Sequence, residues 1–273
     1  LYCMIAPTAG EYYIRGKHRK MYRSETENIA NIHSGLSVRI RPVDAVGKLR
    51  EHSNEYLFFN TDHHWTARGA YYAYAATCEK MGITPTPLES MPSGVIRNFL
   101  GSLYWLTRDP NLEKNKDSVM YYQVPGNLKA VCYTAKSPGK AMAASLLAKM
   151  ASGSNAYSVF LGGDYPLMKI DNPGASPRRL LIIKNSYGNP FSVFFVSHFE
   201  KTLVVDYRYY EGGVKKLVEE EGITDIVIAY GSFSANTPWH IRRLTHIIKP
   251  GKPATPAPAA PAAPAPRDTA GNP

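Results

Sequence analysis

Leu180-Leu181-Ile182-Ile183 is an unbroken apolar run with no polar residue alternating through it. A strand built from it carries apolar side chains on both faces and needs a covering layer on each side. Lys184-Asn185-Ser186-Tyr187-Gly188-Asn189-Pro190 follows, and Pro190 suits the first turn of a helix running to about Glu200. Beyond it, residues 203–206 read as a strand, Val214–Glu221 as a helix with Val214, Leu217 and Val218 inward, and residues 225–229 as a last strand. Strands and helices alternating through short links describe a parallel sheet with crossover helices. The expected fold class is α/β, with a mostly parallel central sheet and flanking helices.

The first half has the same rhythm. Residues 1–6 read as a strand already under way, closed by Pro7 and Gly10. Residues 21–33 read as a helix stopped by Gly35, residues 36–40 as a half-buried strand, and residues 43–50 as a short helix opened by Pro42. Residues 56–59 form a short apolar strand, and Thr66 can cap a helix whose apolar face is Ala70, Tyr71, Tyr74, Ala75, Cys78 and Met81, ended by Gly82. The proline-laced middle is less regular; residues 117–122 and 128–133 are candidate strands of a small excursion. Residues 157–161 read as a strand ending at Gly162-Gly163-Asp164.

Eight of the 21 prolines fall in residues 250–273, a segment without large apolar side chains that is expected to be disordered. The domain expected to fold is therefore residues 1–249. It lacks an initiator methionine and a charged, then apolar, leader, so the chain reads as a fragment or mature product missing its N-terminal part. No apolar run approaches the roughly 18 residues that a membrane span needs.

The net charge is +10, of which the last 24 residues supply one. A basic body suits an anionic partner. The cations are spread out, apart from residues 15–23 and Arg178-Arg179, and no basic stripe interleaved with aromatics appears, so no nucleic-acid partner is expected. Cys3, Cys78 and Cys132 form no C-x-x-C pair, which argues against a zinc ribbon or dithiol site.

Ligands of an open parallel sheet bind beyond the carboxyl ends of its strands. Three polar clusters stand at such ends: residues 62–65, 162–164 and 185–189. Ser186, between a buried strand and a helix, is either a helix cap or a nucleophile whose own N–H can meet an oxyanion. Asp62 and His64 project to the same side of an extended segment, as the orienter and base of a triad would. A metal cluster with His63, or a plain surface loop, are the other readings of that run. Trp65 and nearby tyrosines are either core or a face for sugar rings.

These residues resemble a known family. Asn60-Thr61-Asp62-His63-His64-Trp65-Thr66 is similar to the signature of the DHHW protein family, related to the alginate O-acetyltransferase proteins of bacterial polysaccharide export, which resemble SGNH hydrolases. Residues 181–189, then His198-Phe199, then residues 204–210 are similar to the family's nucleophile strand, helix and following strand. The likeness covers most of residues 1–235, with the two motifs about 120 residues apart. It implies an SGNH-hydrolase-like fold, circularly permuted because the Asp–His pair precedes the serine. It also implies a triad of Ser186, His64 and Asp62, with the Ser186 amide, Gly162 and Gly163 as oxyanion donors. Trp65, Tyr187 and Arg208 would bind substrate. Asn185 departs from the aspartate that many relatives carry there.

The implied function is serine-dependent acyl-ester chemistry on a carbohydrate polymer, as an O-acetyltransferase or acetylesterase. A non-catalytic carbohydrate-binding scaffold is the alternative, and a metal-dependent hydrolase on Asp62, His63 and His64 a third. The resemblance calls for no cofactor and no metal. It implies a polysaccharide partner, a membrane-bound acyl-donor protein, and a place in the cell envelope or outside the cytoplasm.

Overall fold

The computed structural model describes residues 1–135 and 137–249. The tail of residues 250–273, expected to be disordered, lies outside the described residues. Eight strands form one sheet in the order β2 (Arg41–Val43), β1 (Tyr2–Ala6), β10 (Asp225–Gly231), β8 (Arg179–Lys184), β9 (Lys201–Asp206), β7 (Leu167–Asp171), β5 (Lys129–Thr134), β6 (Ser137–Ala144). The first five run parallel; β7, β5 and β6 add antiparallel pairings. The α/β reading with a mostly parallel sheet holds.

The apolar run supplies β8, inside the sheet between β10 and β9. Its side chains divide as the two-face argument requires. Leu180 and Ile182 join the core under the helices Ala67–Met81 and Gly188–Phe195. Leu181 and Ile183 join a second core with Ile29, Val214, Leu217 and Ile247 from three helices on the other face. Thr66 caps Ala67–Met81 by accepting the Gly69 N–H at 3.3 Å, and Gly82 ends that helix at φ +67°.

Several local expectations are corrected. Residues 36–40 are turns, and Val38 stands fully exposed. The edge strand is the three-residue β2 and contains Pro42, which an edge tolerates because its missing N–H faces no partner strand. The next helix starts at Ala45, capped by Asp44 rather than opened by Pro42. Residues 56–59 are not a sheet strand: they fold back so that Phe58 bridges Trp65. Residues 157–161 are no strand either, since a 3₁₀ segment spans Gly153–Val159. The helix at Gly188 ends at Phe195, short of Glu200. In the irregular middle, β4 (Asp117–Tyr122) pairs with β3 (Ser93–Phe99) in a two-stranded excursion, whereas β5 joins the main sheet. The three cysteines are buried and free.

Candidate active site

The parallel strands deliver their carboxyl ends to one edge, where the chain leaves β8 through Asn185 and Ser186 before turning into Gly188–Phe195. The turn is tight. A Cβ on Gly188 would stand 2.3 Å from the Lys184 Cβ, so only glycine lets the helix start this close to the strand. Ser186 is half-buried, and its N–H has no acceptor among the described residues.

The 60–65 loop is built against this turn. Its base is closed by the Thr66 N–H on the Leu57 carbonyl at 2.8 Å and the Phe59 N–H on the His64 carbonyl at 3.2 Å. Its shape is set by Asp117, a buried carboxylate at the start of β4. Asp117 accepts the Asn60 N–H at 3.1 Å, the Thr61 N–H at 2.7 Å, the Thr61 hydroxyl at 2.6 Å and the Tyr56 hydroxyl.

In this frame Asp62 Oδ1 stands 2.6 Å from His64 Nδ1 and accepts the His64 N–H at 2.9 Å; Oδ2 accepts the Ser102 N–H at 2.8 Å. Burial acts to raise the Asp62 pKa, but the His64 bond and charge, His63 and the Ser102 N–H outweigh it and hold the carboxyl well below the usual range. Asp62 is therefore an ionised acceptor, which requires the proton on His64 Nδ1. His64 Nε2 is then the acceptor for Ser186 Oγ, 2.8 Å away across 122 residues of sequence. The structure thus joins Asp62, His64 and Ser186 in one hydrogen-bonded line.

Tyr157, which sequence reasoning did not single out, braces that line. Its ring stacks on His64, and its hydroxyl donates to the Ser186 carbonyl at 2.9 Å. Ser102 and Asp117 were also missed. All three act through tertiary contacts with no local pattern, and only the isolated acidic Asp117 opening an apolar strand offered a signal.

Other expected site residues have different positions. Trp65 is fully buried and donates its Nε1–H to the Tyr187 carbonyl at 2.9 Å, so it is core and offers no face to a sugar. Tyr187 is also buried, with its hydroxyl spent on the His63 carbonyl. Arg208 is engaged by Asp206, at 2.8 and 2.6 Å, and by Asp164, at 2.7 Å. These carboxylates also clamp the buried Lys184 Nζ at 2.8 and 3.1 Å. Gly162 and Gly163 turn at φ +76° and +124° and bring Asp164 onto that cluster. The Gly163 N–H donates to the Phe160 carbonyl at 3.3 Å and is not free for an oxyanion. Asn185 uses its amide to donate to Ser234 Oγ at 2.9 Å and to accept the Tyr187 N–H at 3.1 Å, so its place before the serine is structural.

Asp62, His63 and His64 bring donor atoms within 4.8 Å of one another. The donors are nonetheless occupied: Asp62 by His64 and Ser102, His64 by Asp62 and Ser186, and His63 Nδ1 by Ser102 Oγ at 2.5 Å. A cation there would have to break the line to Ser186, so the residues do not fit a metal site.

A DHHW family protein from Eubacterium siraeum is 32% identical, with a TM-score of 0.82 over 89% of this chain and 81% of that one. PatB1 of Bacillus cereus is 18% identical, with a TM-score of 0.70 over 86% of this chain and 83% of that one. PatB1 with a sulfonyl adduct is 16% identical, with a TM-score of 0.68 over 85% and 81%. These two show a shared fold. The comparison with curated proteins gave no match. Residues 1–205 match the family described as DHHW protein. On that match and the Eubacterium likeness, the chain belongs to the DHHW protein family.

Proposed function

We propose that this protein performs serine-dependent acyl-ester chemistry on a carbohydrate polymer, as an O-acetyltransferase or acetylesterase, with Ser186 as nucleophile, His64 as base and acid, and Asp62 as orienter. The observation that carries the reading is the line Asp62–His64–Ser186, with bonds of 2.6 and 2.8 Å at the carboxyl edge of a parallel sheet. Ser186 Oγ attacks the acyl carbonyl carbon while His64 Nε2 takes its proton. The carbonyl oxygen gains the negative charge and meets the free Ser186 N–H. The tetrahedral centre then expels the alcohol oxygen, which leaves with the proton held on His64. An acyl group remains on Ser186, and water or a sugar hydroxyl, deprotonated by His64, removes it.

The expected partners are an acetylated polysaccharide and a membrane-bound acyl donor, with the reaction outside the cytoplasm; the family resemblance supports these. No helix among the described residues is long and apolar enough to cross a membrane. The test is labelling with a sulfonyl fluoride, chosen because PatB1 has been seen with a sulfonyl adduct. The reagent should modify Ser186, fail on Ser186→Ala and be indifferent to chelator. A wild-type protein that resists the reagent and hydrolyses no acetyl ester would instead be a non-catalytic scaffold.

A further inference from the structure

Within the 62–65 run His63 alone reaches solvent. Half of its side chain is exposed, whereas Asp62, His64 and Trp65 are buried. Its ring packs against the His64 ring, centroids 3.8 Å apart. Its backbone is tied on both sides: the carbonyl accepts the Tyr187 hydroxyl, and the N–H donates to Ser102 Oγ at 3.3 Å. The same Oγ stands 2.5 Å from His63 Nδ1. That oxygen accepts the His63 N–H and still has its own proton to give, and the acceptor within reach is Nδ1. A neutral imidazole carries one N–H, so with Nδ1 accepting from Ser102 the proton of His63 sits on Nε2. The ring is neutral at pH 7. The packing of its inner half, the adjoining His64 and Arg208 outweigh Asp62 and hold its pKa below the ordinary imidazole value.

The chemistry fixes which part of a substrate meets this donor. His64 must return its proton to the leaving alcohol oxygen, so the alcohol half of the ester lies beside His64 Nε2. The acyl oxygen faces the Ser186 N–H. The exposed ring packed against His64 is His63. Resting on the acyl-ester reading above, we propose that His63 Nε2–H binds a second oxygen on the alcohol half, next to the leaving oxygen, and so selects esters of vicinal polyols such as carbohydrates. A simple alcohol has no second oxygen to offer. In the transferase direction the acceptor sugar occupies the same place. Ser102 is a positioning residue: it locks the tautomer that makes Nε2 a donor.

Two measurements test this, the first without turnover. In ¹⁵N-labelled Ser186→Ala protein at pH 7, long-range ¹H–¹⁵N correlations should show His63 as the Nε2–H tautomer. That signal should shift on adding methyl glucoside and stay put with cyclohexanol. An Nδ1–H tautomer, or no shift with the glucoside, would overturn the proposal. In the second, kcat/KM is compared for methyl 3-O-acetyl-glucoside and 4-nitrophenyl acetate. His63→Ala should lose at least tenfold more on the glucoside, and His63→Gln, which keeps an N–H donor, should recover part of the difference. Equal losses on both esters would mean that His63 only props His64. A wild type that takes no sulfonyl fluoride at Ser186 defeats the acyl-ester reading itself, whatever the tautomer.

Discussion

The Tyr157 ring lies nearly parallel to the His64 imidazole, with centroids 4.2 Å apart and planes inclined by 13°. Its hydroxyl reaches on to the Ser186 carbonyl, so one side chain holds both ends of the Nε2···Oγ contact. Tyr157→Phe keeps the ring and removes a bond worth about 1 kcal/mol, so activity should fall several-fold with little change in melting temperature. Tyr157→Leu also removes the stacking, worth about 0.5–1.5 kcal/mol, and should cost markedly more activity than Phe. Steady-state rates on an acetyl ester decide; equal losses for Phe and Leu would deny the stacking any role.

Ser186→Ala and His64→Ala should each remove nearly all esterase activity, because members of such a line act as a unit. Asp62→Asn leaves the geometry in place but no longer requires the proton on His64 Nδ1. Its expected loss is roughly 10⁴-fold, by analogy with the handicap of a wrong tautomer. Retention of more than a tenth of the activity in Ser186→Ala would reject Ser186 as nucleophile.

Gly101 is the point where the Ser102–Thr107 helix touches the site: a Cβ there would fall 2.2 Å from the Asp62 Cβ. Neither backbone nor the Asp62 stem can yield cheaply, so Gly101→Ala should cost about 1–3 kcal/mol by overpacking. It should also displace the Ser102 N–H from Asp62 and slow sulfonyl fluoride labelling of Ser186. Chemical denaturation and the labelling rate, measured together, check both effects; an unchanged rate would uncouple the glycine from the site.

Acid should destabilise the fold late. Asp62 and Asp164 are both held well below the ordinary carboxylate range, Asp164 by Lys184, Arg208 and Asn189 against the upward pull of its burial. A depressed folded-state pKa gives stability that is complete above the unfolded value, about 3.9, and is lost as pH falls through the folded value. Urea midpoints should therefore drop steeply below about pH 4. Asp62→Asn and Asp164→Asn should each flatten that fall while lowering stability at neutral pH. An acid limb identical to wild type in both variants would count against these assignments.

Local patterning accounts for several of the elements. The run Leu180–Ile183 had to be an interior strand because apolar side chains on both faces leave no face for water, and Leu180/Ile182 and Leu181/Ile183 indeed enter opposite cores. Thr66 and Gly82 bounded a helix because capping is settled within one turn. The motif that leaves β8, the 60–65 motif and the family they resemble were legible because each motif is a contiguous run of residues. Contacts between distant segments account for the rest. The antiparallel strands β7 and β6 have no period of their own strong enough to announce them, and β7 owes its place to pairing with β9 and β5. Trp65, an aromatic suited to a sugar, went to the core because its Nε1–H found the Tyr187 carbonyl. Arg208 is held by Asp206, two residues before it, and by Asp164, which only folding brings near. Tyr157, Ser102 and Asp117 became part of the site because folding placed them against the 60–65 loop, and a hydrogen bond or ring contact reports proximity in space, which distance along the chain does not contain.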